Sequence, residues 1–262
     1  MKVVILAGGL GTRLAEETVV IPKPMVEIGG HPILWHIMKI FSFYGMNEFI
    51  ILLGYKGYVI KEYFANYFLH QSDVTFNFLE NKTEIHHHHC EPWKVTLIDT
   101  GSDTQTGGRI LRAKPYLEKE TFFMTYGDGV ADINILELQK FHQKHGRVAT
   151  VTAVQPEGRY GAIVANPSGK ISNFTEKPLG DGSWINAGFF VLEPEIFSYL
   201  QDGDKTIFER KPLEDLVADS ELYSYMHYGF WKCMDTLRDK VELQKLWEQG
   251  TAPWELWSNH DS

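Results

Sequence analysis

The chain has 262 residues, with 34 acidic and 25 basic side chains and a formal net charge of −9. Apolar residues make up 44%, alongside 23 glycines and 11 prolines, and this composition excludes a disordered, collagen-like or coiled-coil protein. The acidic balance argues against broad binding to nucleic acid or an anionic membrane, which needs a cationic field, but it leaves room for a small anion in a locally basic pocket. Residues 3–6 are a short apolar run leading straight into glycines, as expected of a buried strand that ends in a tight turn. Residues 32–44 carry apolar side chains at helical spacing behind Pro32, which suits a first turn. A second apolar strand over 49–53 is closed by Gly54, and 58–68 return to helical spacing. A third strand, 122–126, ends at Gly127-Asp128-Gly129, followed by a helix over 135–145 and a strand over 149–154.

Strand, turn and helix repeated in this way predict an α/β fold with a mainly parallel, Rossmann-like doubly wound sheet covered on both faces. The pattern changes after residue 155. Short strands over 160–165, 171–175 and 188–192 are separated by Gly, Pro, Asn and Ser, and helices over 213–218 and 237–247 close the chain. No repeat, low-complexity tract or flexible linker interrupts it. Residues 1–262 are therefore expected to form a single domain with added mixed strands and a helical C-terminus.

The first apolar run is too short for a secretory signal, and Gly11-Thr12-Arg13 follows at once. No stretch approaches the roughly 20 apolar residues of a membrane span. The two cysteines, Cys90 and Cys233, lie in no CxxC pair, so structural thiols in a reducing cytoplasm are expected.

The strongest chemical signal is Leu6-Ala7-Gly8-Gly9-Leu10-Gly11-Thr12-Arg13-Leu14, directly after the first strand. Glycines there let backbone N–H groups approach an anion closely. It is not a Walker A loop, because no Gly-Lys-Ser/Thr closes it, nor a dinucleotide fingerprint, because Leu14 stands where a small residue is needed. Arg13 and Pro22-Lys23-Pro24-Met25 add cations close by. The run Ile85-His86-His87-His88-His89-Cys90 invites a metal reading, but side chains alternate faces along a strand, so four adjacent histidines cannot share one ion. An exposed polar segment is expected there. Trp247, Trp254 and Trp257 are expected in the core, with a subunit contact as the alternative use of the last two.

The segment from Gly8 to Gly30 resembles the signature of the sugar nucleotidyltransferases, which join a nucleoside triphosphate to a sugar 1-phosphate and release pyrophosphate. Four further motifs follow in the family's order: Tyr126-Gly127-Asp128-Gly129, Phe174-Thr175-Glu176-Lys177-Pro178, Asn186-Ala187-Gly188-Phe189-Phe190 and Met234-Asp235-Thr236. One departure is informative. Many members carry proline shortly after the first motif, where this chain has Ala15-Glu16-Glu17-Thr18. That variant, with Asp99-Thr100-Gly101, Thr106-Gly107-Gly108-Arg109 and Gly229-Phe230-Trp231, is similar to the branch that makes CDP-glucose from CTP and glucose 1-phosphate for O-antigen polysaccharide.

The resemblance implies a nucleotide-binding part over 1–155 and a sugar-binding and C-terminal part over 156–262. It implies nucleotide contacts from Leu6, Ala7, Gly8, Gly9, Leu10, Gly11, Thr12, Arg13, Lys23 and Asp128, and Mg²⁺ held by Asp128 and Asp235. Arg13, Lys23 and Asp128 become the catalytic candidates. A planar fork such as Arg13 suits the β- and γ-phosphates, and a compact cation such as Lys23 suits charge at the reacting phosphorus. Arg109 with Gly107, Gly108 and Thr104 is the candidate for reading the cytosine edge. Glu176, Lys177, Asn186 and Gly188 are candidates for the sugar phosphate. The branch implies a homo-oligomer and admits a hexamer, while the cysteines, the hydropathy and the acidic balance lead to the expectation of a cytoplasmic protein with no membrane insertion and no nucleic acid. UTP or dTTP as donor, a metal-dependent glycosyltransferase, and a non-catalytic nucleotide-sugar sensor stay open as alternatives.

Overall fold

The computed structural model describes residues 1–9, 21–88, 90–117, 119–156, 162–166, 168–175 and 183–258. Strand β1 (Val3–Ala7) is buried along its whole length, which a five-residue apolar run achieves only inside a sheet covered on both faces. It is followed by a two-residue bridge, β2 (Glu27–Ile28) with β3 (His31–Pro32), then α1 (Ile33–Phe43), β4 (Glu48–Leu53) and α2 (Gly57–His70). Pro32 stands just ahead of α1 and pairs with Glu27. A hairpin, β5 (Ser72–Asn77) and β6 (Lys82–His88), leads to β7 (Lys94–Asp99), α3 (Thr106–Arg112), α4 (Lys114–Leu117) and β8 (Phe122–Tyr126). Then come β9 (Gly129–Ala131), α5 (Ile135–His145), β10 (Ala149–Val154), the pair β11 (Ala162–Ala165) and β12 (Ile171–Thr175), and β13 (Ile185–Leu192). The chain closes with α6 (Lys211–Ala218), β14 (Leu222–Met226), β15 (Trp231–Cys233) and α7 (Leu237–Glu248).

Seven strands form the main sheet in the order β14-β10-β13-β8-β1-β4-β7. β8, β1, β4 and β7 are parallel neighbours, β13 is antiparallel to both β8 and β10, and β14 is parallel to β10. The doubly wound α/β fold with mixed strands is thus the observed one. Alternation along the strands builds two cores. Val3, Ile5, Phe49, Ile51, Phe123 and Phe189 face α1 and the C-terminal segment, while Val4, Leu6, Ile50, Leu52, Met124 and Phe190 face α3, α4 and α6. The chain winds outward from β1 through β4 to β7 and then returns to the other side of β1 as β8. A crevice opens at such a reversal, outside the carboxyl ends of the strands. Here those ends are Ala7-Gly8-Gly9 and Tyr126-Gly127-Asp128.

Elements absent from the sequence-based expectation have weak patterns for physical reasons. β7 and β14 are edge strands, the first half-buried and the second mostly exposed, and β9 and β15 are three residues each, too short to show a period. His86 and His87 lie exposed on β6, where the His86 ring meets the Thr75 hydroxyl at 2.9 Å. His89 lies outside the described residues. No helix among the described residues is long and apolar enough to cross a membrane.

The C-terminal tryptophans belong to the core. Trp254 is fully buried, stacks on Phe230 and donates its indole N–H to Nδ1 of His36 at 3.3 Å. Trp257 meets Trp35 edge-on. His36, also fully buried, places Nε2 2.9 Å from the Ile28 carbonyl. These partners assign the neutral tautomer with its proton on Nε2. Burial pushes the His36 pKa down to about 4. Between pH 6.5 and 4 the unfolded chain therefore binds the extra proton, so this contribution is complete above pH 6.5 and lost as pH falls. The full effect is about 3 kcal/mol. Melting temperature is expected to fall more between pH 7 and pH 5 in the natural protein than in His36→Gln, whose amide retains a donor and an acceptor but does not titrate. Equal falls would remove His36 from the acid response.

Candidate active site

Two carboxylates meet because two very short strands pair. Asp128 immediately precedes β9 and Asp235 follows β15 by two residues, and the antiparallel register sets Gly129 opposite Cys233. A backbone bond from the Met234 N–H to the Asp128 carbonyl, 2.8 Å, fastens the two ends. Thr236 then caps α7 in a capping box with Asp239, so Asp235 sits at the mouth of a well-formed helix start. Its position is fixed from both sides.

Between the two carboxylates lies Lys23. Its Nζ is 2.6 Å from Asp128 Oδ2 and 2.6 Å from Asp235 Oδ1, and its side chain is only 12% exposed. Lys23 belongs to a single 3₁₀ turn, Lys23–Met25, with Pro22 ahead of it and Pro24 and Met25 buried behind. Those neighbours anchor the backbone and leave only the side chain to move. Burial is the largest influence on Lys23 and works against its charge, but Asp128 and the hydrogen bond to Asp235 outweigh it, and its pKa is held above the ordinary lysine value.

Cys233 stands in the same cluster, its Sγ within 4.8 Å of a carboxylate oxygen of each aspartate. Burial and then the Asp128 charge push its thiol pKa up, so it is a neutral neighbour. The sequence shows Cys233 only as a thiol two residues before Asp235, with nothing to separate it from a core cysteine. Two carboxylates converging on one point, already satisfied by a cation, fit a hard divalent ion that prefers oxygen ligands. Asp128, Cys233 and Asp235 form a group able to hold a metal among the described residues.

These side chains open into a cleft of about 400 Å³ lined by Leu6, Ala7, Gly8 and Gly9 from the first turn, by Lys23, Pro24, Tyr126, Gly127, Asp128 and Asp235, and by Ser102, Thr104, Gln105, Thr106 and Arg109. Leu10, Gly11, Thr12, Arg13, Glu176 and Lys177 lie outside the described residues. Gly107 and Gly108 do not line the cleft. A side chain on Gly107 would strike Thr206, and one on Gly108 would strike Asp204, so these glycines let α3 pack closely against 203–206.

Arg109 has a different place from a base-reading side chain. It is 5% exposed, and its two terminal nitrogens meet five protein acceptors. Nη1 donates to the Thr100 hydroxyl at 2.6 Å and to the carbonyls of Gly101 and Leu53 at 2.8 and 3.1 Å. Nη2 donates to the carbonyls of Gly8 and Ser102 at 3.1 and 3.2 Å. A Cβ on Gly8 or Gly54 would come within 2.4 Å of the guanidinium. Gly8 is therefore small to make room for Arg109, while nothing among the described residues crowds a side chain placed on Gly9. The clamp joins the first turn to the loop that carries Thr104.

Asn186 and Gly188 sit at the start of β13 beside Tyr126, which lines the cleft. Asn186 Oδ1 accepts from the Gly188 N–H at 2.7 Å. Gly188 has φ of +81°, and a Cβ there would lie 2.5 Å from the Tyr126 ring. The Tyr126 hydroxyl donates to Glu209 at 2.5 Å. Trp231 of β15 donates its indole N–H to the Ala187 carbonyl at 2.7 Å, tying the strand pair that carries the aspartates to the strand that carries Asn186 and Gly188.

A doubly wound sheet carries, at its reversal point, a glycine turn and two carboxylates beside a lysine, a group that could hold a metal ion. The chain belongs to the nucleotidyl transferase family, whose model matches residues 2–249. It is 58% identical over 258 residues to glucose-1-phosphate cytidylyltransferase of Salmonella typhimurium, covering 98% of this chain and 100% of that protein. It is 30% identical over 257 residues to mannose-1-phosphate guanylyltransferase 1 of Arabidopsis thaliana, covering 94% of this chain and 64% of that protein. The fold is shared with HddC of Yersinia pseudotuberculosis, at a TM-score of 0.66 and 24% identity over 94% of this chain and 99% of that one.

Proposed function

We propose that this chain transfers a cytidylyl group from CTP to α-D-glucose 1-phosphate, giving CDP-glucose and pyrophosphate. The observation that carries the reading is the convergence of Asp128, Asp235 and Lys23 beside the glycine turn. The near full-length similarity to a cytidylyltransferase supports CTP and glucose 1-phosphate as the substrates. A phosphate oxygen of the sugar phosphate attacks the α-phosphorus, the bond to the β-phosphate oxygen breaks, and pyrophosphate leaves with that electron pair. The protein's task is positioning and charge stabilisation.

Asp128 and Asp235 hold Mg²⁺, which when bound neutralises charge on the triphosphate. Gly9 lets the triphosphate approach the first turn. Arg13 binds the β- and γ-phosphates and Lys23 the reacting phosphate. Arg109 positions rather than reads: it fixes the Gly8 carbonyl and the 100–102 loop, and so presents Thr104 to the base. Glu176, Lys177, Asn186 and Gly188 take the sugar phosphate, with Lys177 on its phosphate group. Trp231 keeps that half in register with the aspartates. The unpaired Cys90 and Cys233 support a reducing cytoplasm, and the branch resemblance supports a homo-oligomer and a place in surface-polysaccharide synthesis.

Purified protein with Mg²⁺, glucose 1-phosphate and each of CTP, UTP, dTTP, ATP and GTP is expected to release pyrophosphate fastest with CTP. A preference for UTP or dTTP would keep the reaction class and change the donor. Absence of pyrophosphate from every triphosphate would overturn the enzyme reading.

A further inference from the structure

We propose that Lys23 competes with the metal for Asp128 and Asp235, so that metal loads well only when a phosphorylated nucleotide gives the lysine another partner. The inference rests on the reading that these two aspartates hold the metal. Its basis is positional. The Lys23 ammonium occupies the point on which both carboxylates converge, 2.6 Å from an oxygen of each. A hard divalent ion takes its oxygens at about 2.0–2.6 Å, so it would claim the same place. Both cannot bind the same two oxygens, because they would be adjacent like charges in a largely buried pocket.

The competitor is also free to leave in a particular direction. Its backbone lies in the 3₁₀ turn between Pro22 and the buried Pro24 and Met25, so any exchange is a swing of the four-carbon side chain. Lys23 already lines the cleft with Gly8 and Gly9. A triphosphate bound there offers the ammonium a replacement for the carboxylates. Lysine suits the exchange better than arginine would, since its three donors rotate and impose no planar fork. Displacement of Lys23 by metal and its capture by phosphate are then one event seen from two ligands. Linkage requires that each ligand strengthen the other by the same factor.

The test uses Mn²⁺ as the probe, without nucleotide, and reads free Mn²⁺ by electron paramagnetic resonance as it is titrated into metal-stripped full-length protein. Lys23→Met should bind Mn²⁺ about tenfold more tightly than the natural protein, a factor within the usual range of coupling between sites. Lys23→Arg, which keeps a cation there, should bind as weakly as the natural protein. The double variant Lys23→Met with Asp235→Asn should lose the tight binding, which assigns it to these carboxylates. Thermal melts of each variant confirm that the folded protein is being titrated. Lys23→Met binding no tighter than the natural protein would overturn the proposal, as would equally tight binding by Lys23→Arg or by the double variant. No turnover enters the measurement. Failure here would leave cytidylyl transfer standing, and failure of the triphosphate panel would leave this competition standing.

Discussion

Replacing Asp128 or Asp235 by asparagine should lower turnover at saturating substrates by at least about a hundredfold, the scale set by loss of metal-borne charge stabilisation. Asparagine keeps the shape and one acceptor oxygen but removes the charge that holds a divalent cation. Each variant leaves Lys23 one carboxylate partner at 2.6 Å, so the lysine is not stranded as an unpaired buried charge. The backbone bond from the Met234 N–H to the Asp128 carbonyl that fastens β9 to β15 involves neither carboxylate, so either substitution leaves it in place. Circular dichroism and melting temperature should therefore stay close to the natural protein while pyrophosphate release collapses. Turnover within a factor of a few of normal would remove the substituted residue from the metal site.

Arg109→Met should be the most destabilising single change at the site. It takes the donor away from four carbonyls and a hydroxyl at once, in a position only 5% exposed. Water and loop movement will recover some of these bonds, leaving a cost of about 3 kcal/mol or more. For a chain of this size that is roughly 6–12 °C in melting temperature. Arg109→Lys keeps the charge without the planar fork and should fall between the two. The nucleotide KM should rise with the loss of the clamp, because the Gly8 turn and the loop to Thr104 separate. A base-reading arginine behaves differently: the melting temperature would hold, and only the nucleotide KM and the choice of base would change. The pair of measurements thus separates a clamp from a reader.

Much of the fold was open to inspection in one dimension. Strands 122–126 and 149–154 and the helix over 135–145 carry strong, uninterrupted periods, and the structure places them at those residues. The first strand and the glycine turn behind it were legible because a fully apolar run next to glycines has few other uses. Edge strands β7 and β14 were not, since the side chains of the first are half-buried, those of the second mostly exposed, and neither alternates cleanly. The three-residue pair β9 and β15 has no period to find, yet it is the device that brings Asp128 to Asp235.

The site divides along the same line. Residue types, order and spacing were enough to indicate a glycine turn for phosphate with cations close by, and the motifs' resemblance to a known family then singled out Asp128 and Asp235. The same signals gave the glycines and Arg109 one common purpose, whereas in three dimensions Gly107 and Gly108 serve helix packing and Gly8 makes room for a clamp. They made Cys233 a structural thiol with no tie to the site, although it lies within 4.8 Å of both carboxylates. Periodicity and motif order are local properties that a chain carries before it folds. Which of 34 acids face each other, and what a buried guanidinium bonds to, depend on pairings between segments about a hundred residues apart, and those exist only once the sheet has closed.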